Sequence, residues 1–379
     1  MDARSALSTE ARRVRDLALR DRRAAAAELA SLSLEDQVAL ICEAPLRDRN
    51  RLLTLAPAPE EIVPLLPDAE LCFTVKAVGI TDASWILDHA SSTQIVAAID
   101  LDGWSGLELE PSSLDLWMAT LAAASETTML RAAQSIDTEV IVRYLIENAQ
   151  VFLDPRDNEW QAPPGAQTLD GQFYILALEE NNDIAAIMAM LGVLFRNDYW
   201  LYFRMMQGVI WEIPTDLEEW ALRWRTGRLQ DLGFPPWDEA MRIYGYLRPE
   251  HRAEIPTDAS PLELQDWSLP VWITDLPAAS DARHLVFRAL SELDPSERQA
   301  FFYAFIAMAN TIAVADRMPL GDAETLPGAI EKAAKTTSLG LAFIAEGNGL
   351  SAPEVLRRVE LDRLFRVGSN LAPKAPADS

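Results

Sequence analysis

The sequence predicts an all-α protein, with an N-terminal α-solenoid of short-helix superhelical repeats followed by an irregular helical domain. Three observations favour this class. Helix-start motifs recur along the chain, and apolar clusters follow one another at short, nearly constant spacing. Clear hairpin signals, such as Asn-Gly between two alternating apolar runs, are absent. The class therefore rests on local signals that recur along the chain.

The helix-start motifs combine an N-cap residue with an acidic residue three positions later, so that side-chain oxygens meet unpaired backbone N–H groups. The pairs are Ser33 with Asp36, Ser112 with Asp115, Thr215 with Glu218, Asp294 with Glu297, and Ser351 with Glu354. The fourth pair precedes a stripe at helical spacing, which predicts the core face of a helix. The stripe consists of Phe301, Phe305, Met308 and Ile312.

Residues 33–152 are predicted to form the short-helix superhelical domain. Their apolar clusters lie roughly 11 to 13 residues apart as far as Ile99. Helices this short are marginal in water, because few propagating hydrogen bonds offset each nucleation event. Stacking gives each helix a partner, which is the principle of an α-solenoid. The alternative is an irregular helical domain that happens to have short helices.

Domain limits follow from composition. Residues 153–171 are rich in Pro, Gly, Asp and Asn, which is typical of a connection. Residues 255–281 carry four prolines and predict an irregular loop. The predicted segments are an N-terminal helix or arm (1–32), the superhelical domain (33–152), a linker (153–171), a tryptophan-rich helical domain with a Pro-rich loop (172–281), a C-terminal helical unit (282–370) and a disordered tail (371–379).

The chain is strongly acidic. Its 33 basic and 58 acidic residues give a net charge of −25. Such a charge repels nucleic acid and anionic lipid and attracts cations or basic partners. The alternative is that the charge serves only to keep the protein soluble. We therefore expect a protein partner and no nucleic acid, and the sequence leaves the oligomeric state open.

Cysteine use and hydropathy indicate a cytoplasmic protein without membrane insertion. Cys42 and Cys72 lie in apolar runs, which predicts free buried thiols and no disulfide. The longest apolar run, Ala300 to Ala315, is interrupted by Asn310. It is shorter than the roughly 20 residues that a spanning helix needs, so it predicts a buried helix.

Motifs for catalysis and cofactor binding are absent, and we expect no cofactor. The histidines His89, His251 and His284 have no second ligand at zinc spacing, and the chain contains no Walker A, GxGxxG or GxSxG sequence. Asp100 to Glu110, "DLDGWSGLELE", is acidic but departs from the EF-hand pattern. It predicts a turn between helices, and a weak Mg²⁺ site of scattered carboxylates is the alternative.

The most unusual stretch is the tryptophan-rich one. It holds Trp200, Trp211, Trp220, Trp224, Trp237, Trp267 and Trp272. Within it, a charged and aromatic cluster is the candidate partner or ligand site. Its members are Glu219, Trp220, Arg223, Trp224, Arg225, Arg228, Asp231 and Phe234.

Helical spacing gives this cluster two faces. On a helix Trp220 and Trp224 share one face, and Glu219 can pair with Arg223. Arg225 and Arg228 share the next face. Because arginine stacks on tryptophan and binds carboxylates through two hydrogen bonds, the cluster suits an anionic ligand or a protein partner. The alternative is a structural Arg–Glu–Trp network that fixes the turn "DLGFPP" against the next helix.

Two resemblances to known families accompany these patterns. Residues 33–104, through "RLLTLAP", "EEIVPLLP" and "STQIVAAIDLD", resemble the superhelical N-terminal domain of MgtE-type magnesium transporters. "DLDGW", "TLDGQFYI", the segment Glu218–Pro249 and the segment Gly340–Gly368 resemble an uncharacterised bacterial family of unknown function. The first resemblance implies a superhelix and a response to Mg²⁺, and the second implies no activity.

Three functions follow as hypotheses. The first is a non-enzymatic scaffold or adaptor in protein interactions. The second is an Mg²⁺-responsive regulatory protein, suggested by the charge and the transporter resemblance. The third is an enzyme of unknown reaction with a site lined by Glu219, Arg225 and Arg228. The absence of catalytic motifs favours the first.

Overall fold

A computed structural model describes residues 13–178, 184–255 and 283–372 of the chain. It is mostly helical, as predicted. The described residues fall into two compact units, one ending at Arg228 and one beginning at Leu229, within the predicted tryptophan-rich domain. The predicted Pro-rich loop lies almost wholly outside the described residues, as do Trp267, Trp272 and most of the predicted tail.

The first unit begins with short helices and ends with longer ones. Its helices are residues 13–20 (α1), Arg22–Ser31 (α2), Leu34–Glu43 (α3), Leu46–Leu55 (α4), Pro59–Ile62 (α5), Asp68–Val78 (α6), Ser84–His89 (α7), Ser92–Asp102 (α8), Pro111–Ala122 (α9), Glu126–Ser135 (α10), Thr138–Asn148 (α11), Ile184–Asn197 (α12), Tyr199–Trp211 (α13) and Pro214–Asp231 (α14), of which the last three residues belong to the second unit.

The short helices pack in alternation. Helix α4 packs against α2 and α6, and α8 packs against α6 and α10. A second row runs from α3 through α5 and α7 to α9. Each helix thereby buries apolar residues such as Leu53, Leu71 and Ile95. Helices of 4 to 12 residues are therefore stabilised by their neighbours rather than by their own length.

A buried ion pair joins α4 to α6. Arg49 Nη1 donates to Glu70 Oε2 at 2.5 Å, and both side chains are 7% exposed. Arg49 also donates to the carbonyl oxygens of Cys42 (2.6 Å) and Ala44 (3.1 Å) and to Thr74 Oγ1 (3.2 Å). The buried guanidinium thus meets a counter-charge and several acceptors, which offsets the cost of removing it from water.

The two cysteines are free and buried, as predicted. Burial raises the pKa of the Cys42 thiol to about 12, and the nearby Glu70 carboxylate adds to this effect. Because the thiolate is the nucleophilic form, Cys42 is a core residue rather than a reactive one.

The all-α prediction is corrected by two small antiparallel sheets. Strands Trp104–Ser105 (β1) and Glu108–Leu109 (β2) form a hairpin. Gly106, in the turn between them, has a φ of 65°. A three-stranded sheet consists of Ala149–Leu153 (β3), Gln167–Thr168 (β4) and Phe173–Ala177 (β5), in the order β3-β5-β4. Strands β1, β2 and β4 have two residues each, too few to show an alternating pattern, and the five-residue β3 (AQVFL) and β5 (FYILA) are mostly apolar without strict alternation, so the sequence did not predict them.

The segment predicted as a linker, 153–171, connects β3 to β5 and contains β4. Leu153 is the last residue of β3 and pairs with Phe173 of β5. Residues 167–168 form β4, which pairs with β5 on its other side. Residues 153–171 therefore form a long connection between paired strands of one sheet.

The predicted helix starts are confirmed at three of the sites. Ser33 Oγ accepts from Asp36 N–H, Asp294 and Glu297 form a capping box, and the backbone N–H of Ser351 donates to Glu354. The predictions at Ser112 and Thr215 were wrong, because α9 and α14 already begin at the preceding prolines. Proline lacks an N–H and suits the first helical position.

The second unit contains the remaining helices. They are Trp237–Ala240 (α15), Leu285–Leu290 (α16), Pro295–Ala315 (α17), Thr325–Asn348 (α18), Ala352–Leu356 (α19) and Leu361–Leu371 (α20). The predicted stripe of α17 is confirmed, since its four members are at most 1% exposed. The run from Ala300 to Ala315 is a buried helix, and none of the helices in the described ranges has the length and apolar character to cross a membrane.

Helices α18 and α20 meet at their backbones. A Cβ atom added to Gly340 would lie 1.9 Å from the carbonyl oxygen of Leu364. One added to Gly368 would lie equally close, 1.9 Å, to the carbonyl oxygen of Thr336. Only glycine allows so close an approach, so this pair sets the distance between the two helices.

Candidate functional site

Helix α14 presents two different faces up to Arg228. Leu217, Ala221 and Arg225 recur every four residues and are buried, at 6%, 0% and 6% exposure. Trp220 and Trp224 lie on the adjoining side of the helix, next to this buried row, and are 48% and 49% exposed. The sequence predicted two faces from spacing alone, and the structure shows which of them is turned inward.

Arg225 holds the β1–β2 hairpin. Its Nε donates to the carbonyl oxygen of Asp100 at 2.7 Å, and its Nη1 donates to that of Gly106 at 3.1 Å. The guanidinium carbon lies 4.9 Å from the centroid of the Trp104 ring, a cation–π distance. Burial lowers the pKa of Arg225 to about 10, so the side chain is still protonated at neutral pH.

Arg228 bridges two carboxylates. It donates to Asp100 through Nε (2.6 Å) and Nη2 (2.9 Å), and to Asp137 through Nη1 (3.0 Å) and Nη2 (2.6 Å). Although desolvation lowers the pKa of Arg228, these hydrogen bonds outweigh it and raise the pKa above the ordinary arginine value. Asp100 is 3% exposed, so Arg228 supplies the counter-charge of a buried carboxylate.

Other contacts hold the acidic stretch Asp100–Glu110 in place. Leu109 N–H donates to Glu218 Oε1 at 3.1 Å, which ties β2 to α14. Asp102 accepts from Lys76 Nζ (2.5 Å), from Ser113 Oγ (2.9 Å) and from Trp117 Nε1 (2.9 Å). The aspartates of the acidic stretch that suggested a cation loop therefore have internal partners. Across residues 13–178, 184–255 and 283–372, no group of three or more His, Cys, Asp or Glu side chains is arranged to hold a metal ion.

The outer face of α14 carries stacked indoles. The ring centroids of Trp220 and Trp224 lie 6.3 Å apart, at an interplanar angle of 26°. The Arg223 guanidinium lies 5.3 Å from the centroid of the Trp220 ring. Glu219 is exposed beside them. Four predicted site residues therefore share the solvent-facing side of one helix.

Asp231 and Phe234, the last two candidates, belong to the second unit. Asp231 is exposed, whereas Phe234 is buried and donates its N–H to Leu229 O at 2.8 Å. The turn that contains Phe234 is bound by Asn310 Nδ2, which donates to Gly233 O at 3.2 Å. A structural network around this turn was the alternative interpretation, but Arg225 binds Asp100 and the β1–β2 hairpin, and Arg228 binds Asp100 and Asp137.

The predicted cluster omitted neighbouring exposed residues. Trp211 and Ile213, at the junction of α13 and α14, are both 58% exposed. We refer to Trp211, Ile213, Trp220 and Trp224 as the tryptophan face. The density of tryptophans in a charged stretch was the available signal, but spacing on α14 could not include residues that precede the helix.

Replacing Arg228 with Ala is expected to lower the free energy of unfolding by about 2–3 kcal/mol, because it leaves Asp100 without its counter-charge. This is less than for a fully buried pair, since the Arg228 side chain is 34% exposed. Arg223→Ala on the outer face is the matched control, with an expected change within about 0.5 kcal/mol. Urea denaturation followed by circular dichroism measures both. Equal stabilities for the two variants would contradict a structural role for Arg228.

Comparisons with known proteins give a family but no activity. No curated protein and no solved structure matched the chain. The resemblance of residues 33–104 to the magnesium-transporter domain therefore gains no support from these comparisons. A family model described as "Family of unknown function (DUF6178)" matches residues 26–376. Because the match spans most of the sequence, the chain belongs to this family of unknown function.

Proposed function

We propose that the protein is a non-enzymatic scaffold or adaptor that binds another protein through the tryptophan face. The observation that carries the proposal is the exposure of four large apolar side chains, 48% to 58% each, within residues 211–224. Clustered exposed apolar groups mark interaction sites. Tryptophan is also enriched among the residues that contribute most to binding between proteins.

The inward contacts of α14 support this assignment. Leu217, Ala221, Arg225 and Arg228 connect the helix to the first unit. Trp220 stacks on Trp224, and the Arg223 guanidinium lies over the Trp220 ring. About half of each indole residue remains exposed, so covering the pair with a partner would remove a further large apolar area from water.

The alternating packing of α2 to α10 is in keeping with a superhelical scaffold. We propose that this stack is the predicted α-solenoid, an architecture whose extended surfaces serve protein binding. The free, buried Cys42 and Cys72 are compatible with the reducing conditions of the cytoplasm, where we propose that the protein acts.

A tagged pull-down from the native host at low salt tests the proposal. The wild-type chain is compared with the double variant Trp220→Ala/Trp224→Ala, and captured proteins are quantified by mass spectrometry. We expect one partner at near-stoichiometric yield with the wild type and a loss of at least about tenfold with the double variant.

Trp200→Ala is the control, because Trp200 is 76% exposed and lies outside residues 211–224. It should retain the partner at the wild-type yield. Retention of the partner by the double variant would refute the role of the tryptophan face. A wild-type chain that captures nothing would refute the scaffold function itself.

A further inference from the structure

We infer that the segment bound by the tryptophan face is a basic amphipathic helix, in which Lys or Arg residues accompany an apolar stripe. This inference rests on the proposed function and adds the chemistry of the partner. It follows from the charges that surround the exposed indoles, from the internal contacts of those charges, and from their order along α14.

Acidic side chains are interspersed with the indoles. The exposed ionisable residues of the segment 211–224 are Glu212, Asp216, Glu219 and Arg223. Three carboxylates therefore accompany the exposed indoles in this segment, and the one guanidinium, that of Arg223, already lies over the Trp220 ring. An acidic partner would be repelled at this surface, as would the phosphates of a nucleic acid, whereas a basic partner is complementary to it.

These carboxylates differ from those on the inner side of α14. Asp100 and Asp137 are bound by Arg228, and Glu218 accepts from Leu109 N–H. Within the described ranges, by contrast, the structure shows no hydrogen bond or ion pair of the Glu212, Asp216 or Glu219 side chain. Their charges are thus available to a second molecule at little cost in internal contacts.

The order of residues on α14 favours a helical partner. Asp216, Trp220 and Trp224 follow one another at four-residue intervals and form one row along the helix. A helix laid along this row would meet alternating acidic and aromatic groups. Its apolar stripe would cover the indoles, and its Lys or Arg side chains would reach both the carboxylates and the outer ring face of Trp224. The net charge of −25 would speed the encounter.

The test uses two fluorescent probe peptides of equal length with the same apolar helical stripe. One carries Lys at all polar positions, and the other carries Glu. Anisotropy titrations against the full chain at low salt measure both dissociation constants. We expect the Lys peptide to bind at least about tenfold more tightly than the Glu peptide, and Trp220→Ala/Trp224→Ala to weaken it at least about tenfold.

Charge variants separate the local surface from the general field. The face variant Glu212→Lys/Asp216→Lys/Glu219→Lys should weaken binding of the Lys peptide at least about tenfold and should strengthen binding of the Glu peptide. The control Glu60→Lys/Glu159→Lys/Glu346→Lys changes the net charge equally at exposed positions elsewhere. It should alter binding of the Lys peptide by no more than about threefold.

The outcomes distinguish this inference from the proposed function. Equal weakening by the two charge variants would overturn the inference, since binding would then depend only on net charge. Failure of both peptides to bind, or equal binding of both, would overturn it as well. In each case the proposed function stands if the pull-down partner still requires Trp220 and Trp224, and it fails if that partner is retained without them.

Discussion

Replacing Gly340 with Ala is expected to disrupt the second unit, with a loss of about 3–5 kcal/mol in its free energy of unfolding. The new methyl group would overlap the carbonyl oxygen of Leu364, which lies 1.9 Å from the ideal Cβ position. A backbone carbonyl cannot rotate away as a side chain can, so α18 and α20 would have to separate along their shared length. Separation would open voids around Leu341 and Phe365, both of which are completely buried.

Gly328→Ala on the same helix is the matched control. A Cβ atom at Gly328 meets nothing within 4 Å, and alanine is the better helix former by about 1 kcal/mol. This variant should therefore be as stable as the wild type or slightly more stable. Hydrogen exchange of peptides from α17, α18 and α20 measures both variants in the full chain. Wild-type protection in Gly340→Ala would show that the two backbones do not meet as described.

Replacing Glu70 with Ala is expected to destabilise the first unit by about 3–5 kcal/mol. Arg49 would keep its acceptors at Cys42 O and Ala44 O but lose the only carboxylate within its described contacts. A guanidinium that is 7% exposed cannot recover the hydration it lost on folding. Most of the expected cost is therefore the penalty of an uncompensated buried charge, not the loss of a favourable bond.

A double-mutant cycle separates these two contributions. Arg49→Met/Glu70→Leu removes both charges and preserves most of the side-chain volume, so it should be less destabilised than Glu70→Ala alone. Urea denaturation monitored by circular dichroism gives the free energies of unfolding. If the separate effects of Arg49→Met and Glu70→Leu add up to the effect of the double variant, the pair is not coupled, and the packing of α4 on α6 does not depend on it.

The sequence predicted best where a structure is defined by near neighbours. The Asp294 capping box and the buried stripe from Phe301 to Ile312 involve residues a few positions apart, and both are present. The two faces of α14 also followed from spacing, since Trp220 stacks on Trp224, and Arg225 and Arg228 bind the same region. Local spacing was sufficient for such relations.

Local spacing could not predict contacts between residues that are far apart in the sequence. Arg228 binds Asp100 and Asp137, which precede it by 128 and 91 residues, and no local pattern connects them. Which face of α14 would be exposed was also not predictable. Tryptophan and arginine each combine an apolar body with a polar end, so neither marks the buried side as a leucine stripe does. The inward turn of Arg225 depends on Trp104 and Gly106, which tertiary packing supplies.

The bridge from Arg228 to Asp100 also constrains the order in which the protein can mature on the ribosome. The two residues are 128 positions apart. At about 5–20 residues per second, synthesis needs on the order of ten seconds to produce the arginine after the aspartate. During that interval the Asp100 carboxylate of α8 lacks the Arg228 guanidinium that pairs with it in the complete protein. We therefore expect the β1–β2 region to reach its final form only after α14 has emerged, although the helices around it are made much earlier.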